Sequence, residues 1–140
     1  MRIVTDSFHI STRGNDQMID ITPSLRELLR KHEFTEGSAT VFISGSTAGI
    51  TTVEFEPGLV KDIPEAFDRI APKQHRYHHD DTWHDGNGHS HVRASLLGAS
   101  LTVPFASKAF LLGTWQQVVV IDFDTRSRSR EIVVQFTGEK

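Results

Sequence analysis

Residues Val118–Ile121 read VVVI, inside the longer stretch LGTWQQVVVIDFD from Leu112 to Asp124. A strand with one face in water alternates apolar and polar residues, because successive side chains point to opposite sides of the sheet. Four consecutive β-branched residues break that alternation. The strand must therefore be covered on both faces, by helices or by another subunit. This excludes a simple two-layer arrangement in which every strand has an open face.

The rest of the chain supplies the covering elements. Arg2–Ile10 is β-rich, and Ser11–Asp16 (STRGND) is a run of turn residues. Gln17–Ile21 reads as a second strand, expected to form a hairpin with the first. Thr22-Pro23 predicts a helix start, a capping hydroxyl followed by proline at the first helical position. Leu25, Leu28 and Leu29 give that helix its apolar stripe, and its end is expected near Gly37. Thr40–Ile43 reads as a buried strand, Gly45–Gly49 breaks it, and Ile50–Phe55 continues as an extended segment. Pro57-Gly58 is a turn. Leu59, Ile63, Phe67 and Ile70 have helical spacing, with Pro64 starting or kinking that helix and Pro72 ending it. Val92–Leu97 suits one or two helical turns, with Asn87 or Ser90 capping the start. Ser100–Phe105 is a strand. Phe110–Asp124 reads as a long apolar strand region, Arg126–Arg130 as a tight basic turn, and Glu131–Thr137 as a final strand closing a hairpin on its predecessor.

Together these elements predict an α+β fold: a largely antiparallel β-sheet with two or three short helices packed on it, in a single domain spanning residues 1–140. The composition, 37% hydrophobic and 24% charged with a net charge of −3, is that of an ordinary globular chain. It has no broad basic surplus, which argues against duplex nucleic acid as a partner. No apolar run approaches the ~20 residues needed to cross a bilayer, so no membrane partner is expected. The N-terminus lacks the apolar centre of a signal peptide, and a cytoplasmic location is expected. With no cysteine in the chain, disulfides, thiolate catalysis and cysteine-held zinc are excluded.

The chemistry concentrates in His78–His91, HHDDTWHDGNGHSH. These fourteen residues hold five of the eight histidines, with three aspartates, an asparagine and two glycines. Imidazole is the commonest protein metal ligand and the only side chain whose unperturbed pKa lies near neutrality. Read as a polar loop, the segment offers His79, His89 and His91 as nitrogen ligands and Asp85 as an oxygen ligand for a divalent metal, zinc or magnesium. His89 and His91 share a face only if the segment is extended; in a helix they diverge. Gly86 and Gly88 allow turns that fold Asp85 back onto the histidines. The plainer alternative is a solvated surface loop with local hydrogen bonds.

Three further segments carry candidate residues. Gly45–Gly49 places Ser46 and Thr47 between two strands, where hydroxyls and backbone N–H groups can meet an anion. It is no Walker loop, since the closing Gly-Lys-Ser/Thr is missing. Arg126, Arg128 and Arg130 alternate, so an extended chain puts their guanidinium forks on one side, where they suit phosphate; a soluble hairpin tip is the alternative. Glu54 at a strand end could serve as a base, and Gln116 could orient a polar ligand.

DGNGHSHVRASLLG (Asp85–Gly98), a Ser-x-x-Val strand from Ser100, LGTWQQVVVIDFD and an arginine-rich last hairpin occur here in that order. Their combination resembles the YjbQ family, also called UPF0047, over nearly the whole chain. The resemblance implies a compact α+β domain assembling as a homotrimer. It also implies a weak thiamine-phosphate synthase activity attributed to some members, in which a hydroxymethylpyrimidine diphosphate is joined to a thiazole phosphate with release of pyrophosphate. On that transfer His91, Glu54 and Asn87 become the catalytic candidates. Ser46, Thr47, Gln116, Arg128 and Arg130 become the ligand-binding ones. The other expectation is a non-catalytic module that binds a phosphorylated or anionic metabolite.

Overall fold

The computed structural model describes residues 1–140. In chain order the elements are β1 (Arg2–Thr12), β2 (Gln17–Asp20), α1 (Thr22–His32), β3 (Glu36–Ile43), β4 (Ala48–Val53), α2 (Pro57–Ile70), α3 (His78–Trp83), α4 (Gly88–Leu97), β5 (Ser100–Ala106), β6 (Ala109–Phe110), β7 (Gln117–Asp122) and β8 (Arg128–Glu139). They form two antiparallel sheets. One has five strands in the order β1-β8-β3-β5-β6, and the other has three in the order β2-β7-β4. The fold is α+β, as expected.

The strand β7 occupies the centre of the small sheet and is covered on both faces. Val118 and Val120 join Ile50, Leu25, Val41, Val134 and Phe136 in the core between the two sheets and α1. Val119 and Ile121 point the other way, to Met18, Ala94 and Phe123, beneath Ile63 and Phe67 of α2 and Leu97 of α4. All four residues of VVVI are 0% exposed. Burying each such side chain contributes roughly 1.5–3 kcal/mol, so this strand holds the three layers together. The cover comes from within one chain.

Two expected hairpins are absent. The β2 strand pairs with β7, in the register Gln17↔Asp122 to Asp20↔Val119, and not with β1. The β8 strand pairs with β1 and β3, so β7 and β8 belong to different sheets. In both cases the intervening turn carries the chain from one sheet to the other. Turn residues report that the chain reverses; they do not report which partner buries more surface afterwards.

The helix boundaries also differ from expectation in instructive ways. The Thr22 hydroxyl does not cap α1. It accepts the Val118 N–H at 2.8 Å and so ties the start of the helix to β7, while Asp20 Oδ1 accepts the Thr22 N–H at 2.9 Å. The helix stops at Glu33, which adopts a left-handed conformation (φ 58°), well before Gly37. Pro57-Gly58 is the first turn of α2, because the Glu56 carboxylate accepts the Gly58 and Leu59 N–H groups at 2.7 and 2.6 Å. Pro64 lies inside that helix. Phe110–Gln116 is mostly irregular, so the long strand expected there is two pieces.

Beneath α2 and α4 lies Arg93, whose side chain is 0% exposed. It donates to Asp16 at 2.9 Å, to Asp68 at 2.7 Å and to the Ala71 carbonyl at 3.0 Å. It thus joins the β1–β2 turn, the end of α2 and the middle of α4. Asp16 would keep Lys73 at 3.0 Å and Asp68 is 59% exposed, so losing the buried Arg93 costs roughly 3 kcal/mol, the lower end for breaking a buried pair. Arg93→Ala is expected to lower the urea midpoint by that order of stability. A change below about 1 kcal/mol, the level of a surface pair, would show that the clamp carries no load.

Candidate functional site

The histidine segment is helical, not an extended loop, and its periodicity sorts the side chains. On α4 residues four apart share a face, while residues two apart differ by about 200°. Asn87 and His91 therefore face one way. His89 and Arg93 face another, and Ser90, Ala94 and Leu97 lie on the small sheet. Gly49 of β4 allows that close contact, since a Cβ there would stand 2.8 Å from the Gly98 carbonyl and from Leu97. The short α3 ends at His84 in a left-handed conformation (φ 56°), and the chain doubles back through Gly86 (φ 68°). This reversal sets His79 of α3 beside His91 of α4, ring centroids 4.2 Å apart.

Together these two imidazoles form one wall of a cleft of about 350 Å³. Asp85, Asn87 and the exposed Trp83 belong to the same wall. The opposite wall is Gly45, Ser46 and Thr47 from the β3–β4 loop, with Asp124, Arg128 and Arg130 from the β7–β8 corner.

Asn87 links His79 to Asp85: its amide nitrogen donates to Asp85 Oδ1 at 2.8 Å and to His79 Nε2 at 3.1 Å, and His79 Nε2 itself lies 3.4 Å from Asp85. Asn87 sits at the start of α4 but makes no side-chain cap; its amide is committed to the cleft.

His91 is held neutral: burial, then the neighbouring His79, lower its pKa below the ordinary value of 6.5, against the opposing pull of Asp85 and Asp124. A neutral imidazole with an unprotonated nitrogen can accept a proton near neutrality.

Behind the other wall lies a lattice of buried charge. Asp122 and Asp124 are 0% and 1% exposed. Arg130 donates to both oxygens of Asp122, at 2.8 and 3.0 Å, and to the Thr47 hydroxyl at 2.6 Å. Thr47 donates in turn to Asp124 at 2.9 Å, Thr12 donates to Asp122 at 2.6 Å, and Arg128 pairs with Asp124 at 2.8 Å. Burial alone would raise both carboxyl pKa values. For Asp122 the bonds from Arg130 and Thr12 outweigh it, and for Asp124 those from the Thr125 N–H, Thr47 and Arg128 bring the pKa to about 2. The remaining guanidinium nitrogen of Arg130, Nη1, faces Gly45. That glycine has φ +116°, and a Cβ there would stand 2.8 Å from Nη1.

Of the residues expected from sequence, His79, His91, Asp85, Asn87, Ser46, Thr47, Arg128 and Arg130 surround one cleft. Three do not join it. His89 is 4% exposed and lies toward Tyr77 on the opposite side of α4, because two residues of helix turn it away. Glu54 is exposed just beyond β4. Gln116 bonds Thr52 at 3.2 Å in a separate depression. The ligand set His79, His89, His91 and Asp85 therefore does not converge, and no group of three or more His, Asp or Glu side chains is placed to share a metal ion. Sequence reasoning missed Asp122 and Asp124. Their signal was the Asp-x-Asp pattern closing an apolar strand, which puts both carboxylates on one side.

A sequence profile described as UPF0047 protein YjbQ-like matches residues 6–139. The chain belongs to the YjbQ-like UPF0047 family. The UPF0047 protein YugU of Bacillus subtilis is 33% identical over 133 residues, 94% of this chain and 98% of the relative. The UPF0047 protein MJ1081 of Methanocaldococcus jannaschii is 31% identical over 95% of this chain and 94% of its own length. A YbjQ-like protein of unknown function from Sulfolobus solfataricus superposes with a TM-score of 0.92 at 28% identity, covering 99% of both chains. A YjbQ/UPF0047 protein from Clostridium acetobutylicum gives 0.85 at 32% identity, over 94% of this chain and 99% of its own. Membership fixes the fold and assigns no reaction.

Two measurements check the electrostatics. In an NMR titration the His91 ring should change charge below pH 6.5; a midpoint at or above that value contradicts its burial. Asp124 has a folded pKa of about 2 against 3.8 for the free side chain, so its contribution of ~2 kcal/mol is complete above pH 3.8 and fades as pH falls through the folded value. Asp124→Asn should flatten the acid limb of stability between about pH 4 and pH 2, whereas an unaltered limb would show that the carboxylate is not tied in.

Proposed function

We propose that the cleft binds a diphosphate group and that the protein is a small-molecule transferase of the kind its family resemblance implies. In that reaction the C–O bond between a pyrimidine methylene carbon and a diphosphate breaks, and the diphosphate leaves with the electron pair. A thiazole nitrogen supplies the pair for the new C–N bond. One observation carries this reading: two facing imidazoles on one wall of the cleft stand opposite Ser46 and the Arg128–Arg130 pair on the other. Leaving diphosphate needs donors where its charge develops and a proton source beside it. The Nη1 groups of Arg130 and Arg128, left over from their bonds to Asp122 and Asp124, and the Ser46 hydroxyl supply donors. The rings of His79 and His91 stand beside the leaving group as hydrogen-bond partners. Thr47 is a positioning residue, since its hydroxyl is occupied by Asp124 and Arg130.

The charge count refines the ligand. Asp85, Asp122 and Asp124 face only two guanidiniums, so the carboxylates and guanidiniums leave the site no spare positive charge. A bare diphosphate would be repelled. A magnesium–diphosphate complex suits the site better, because most of its magnesium ligands are phosphate oxygens and water; the divalent ion expected from sequence then arrives with the substrate. The homotrimer is carried forward on the same footing, supported by Trp83 and Trp115, which are 70% and 72% exposed. Sedimentation at three chain masses agrees with it, and a monomer removes it.

The reaction is tested by pyrophosphate release from the pyrimidine diphosphate in the presence of the thiazole phosphate and Mg²⁺. His91→Ala should reduce release by about 10²-fold or more while circular dichroism stays unchanged. Undiminished release from the folded variant contradicts the assignment. Binding of the diphosphate by calorimetry with no product from the native protein transfers the cleft to a non-catalytic binding role.

A further inference from the structure

A second cavity lies away from the histidines. It opens beneath the C-terminal half of α1 and has a volume of about 770 Å³. Such a volume falls in the range of sites that enclose small organic molecules, ~300–1,000 Å³. Its apolar lining comes from Leu29, Phe34 and Phe110, the first two 3% and 1% exposed. Its rim holds Arg26 and Arg30, one turn apart on α1, Lys108 in the β5–β6 turn and the terminal Lys140. Glu33 is the one acidic side chain among the lining residues.

The four cations are nearly free. Lys140 lies 3.6 Å from Glu33, and Arg26, Arg30 and Lys108 enter no ion pair with the protein. This contrasts with the histidine cleft, where buried aspartates hold both arginines. The chain has a net charge of −3, yet among the side chains at this opening four are basic and one, Glu33, is acidic. Like charges converging on an apolar hollow repel one another, and an anion entering the opening relieves that repulsion. The low-dielectric walls focus the field on the opening.

We propose that this cavity is a binding site for an organic anion with an apolar body, an alkyl or aryl carboxylate or phosphate. The body lies against Leu29, Phe34 and Phe110, and the acidic head meets Arg30 and Lys108 at the rim. An inorganic anion lacks the body, and a neutral amphiphile lacks the head; neither satisfies both halves of the site. The inference is independent of the chemistry proposed for the histidine cleft.

Calorimetry with decanoate as the probe tests it. The native protein should bind one decanoate per chain saturably, and decanol and inorganic phosphate should each bind at least about tenfold more weakly. Arg30→Glu combined with Lys108→Glu should weaken decanoate by about tenfold or more, and raised salt should weaken it as well. Ala109→Trp, which fills the opening without altering charge, should abolish binding and guards against a misfolded double variant. In the native protein the amide signals of Lys108 and Phe110 should shift on titration while that of His91 stays fixed. Equal binding of decanol, undiminished binding in both variants, or shifts centred on His91 would overturn the assignment.

Discussion

The candidate site depends on two carboxylates buried where the sheets part company. Asp122 ends β7 in the small sheet, and Asp124 follows it on the way to β8 in the large one. Neither could remain charged in the interior without partners. The partners come from three separate places: Thr12 at the end of β1, Thr47 in the β3–β4 loop, and Arg128 and Arg130 at the start of β8. Satisfying the carboxylates therefore fixes how the β3–β4 loop, the crossing between sheets and the first turn of β8 lie relative to one another. Arg130 is aimed by this arrangement, two of its nitrogens spent on the lattice and the third left toward the cleft.

The opposite wall is aimed by apolar packing. The helix α4 lies on the small sheet through Ala94 and Leu97, seated closely against Gly49, and is pinned by the Ser90 hydroxyl to the Phe123 carbonyl and by the buried Arg93. That contact fixes the rotation of the helix about its axis. The rotation decides that His91 and Asn87 meet the lattice and that His89 does not. Since the core strand β7 leads directly into Asp122, packing and electrostatics meet at one end of a single strand.

How much of this was legible beforehand depended on the range of the interaction. The apolar run Val118–Ile121 announced a strand covered on both faces, and the structure covers it so. The family pattern marked the segments that line the cleft. What local patterns concealed was partnership over distance. Ser11–Asp16 looks like a hairpin turn, yet β2 finds β7, which lies about a hundred residues further along. The histidine segment is so polar that its helical spacing was hidden, although Asn87 and His91 stand four apart, as do His89 and Arg93. The arginines alone suit a soluble hairpin tip as well as an anion site, because their counter-charges, Asp122 and Asp124, close an apolar strand. The metal set failed for the same reason: His89 is near His91 in sequence, and helix geometry alone separates them.

A crystal structure of the protein grown with magnesium and pyrophosphate tests the central claim, that the buried aspartate lattice and α4 aim their side chains at one shared ligand. The account predicts pyrophosphate between Arg128, Nη1 of Arg130 and Ser46, within hydrogen-bond distance of His79 or His91, with the Asp122–Arg130 and Asp124–Thr47 bonds intact. Pyrophosphate bound instead at the basic rim beneath α1, with the histidine cleft holding only water, would contradict it.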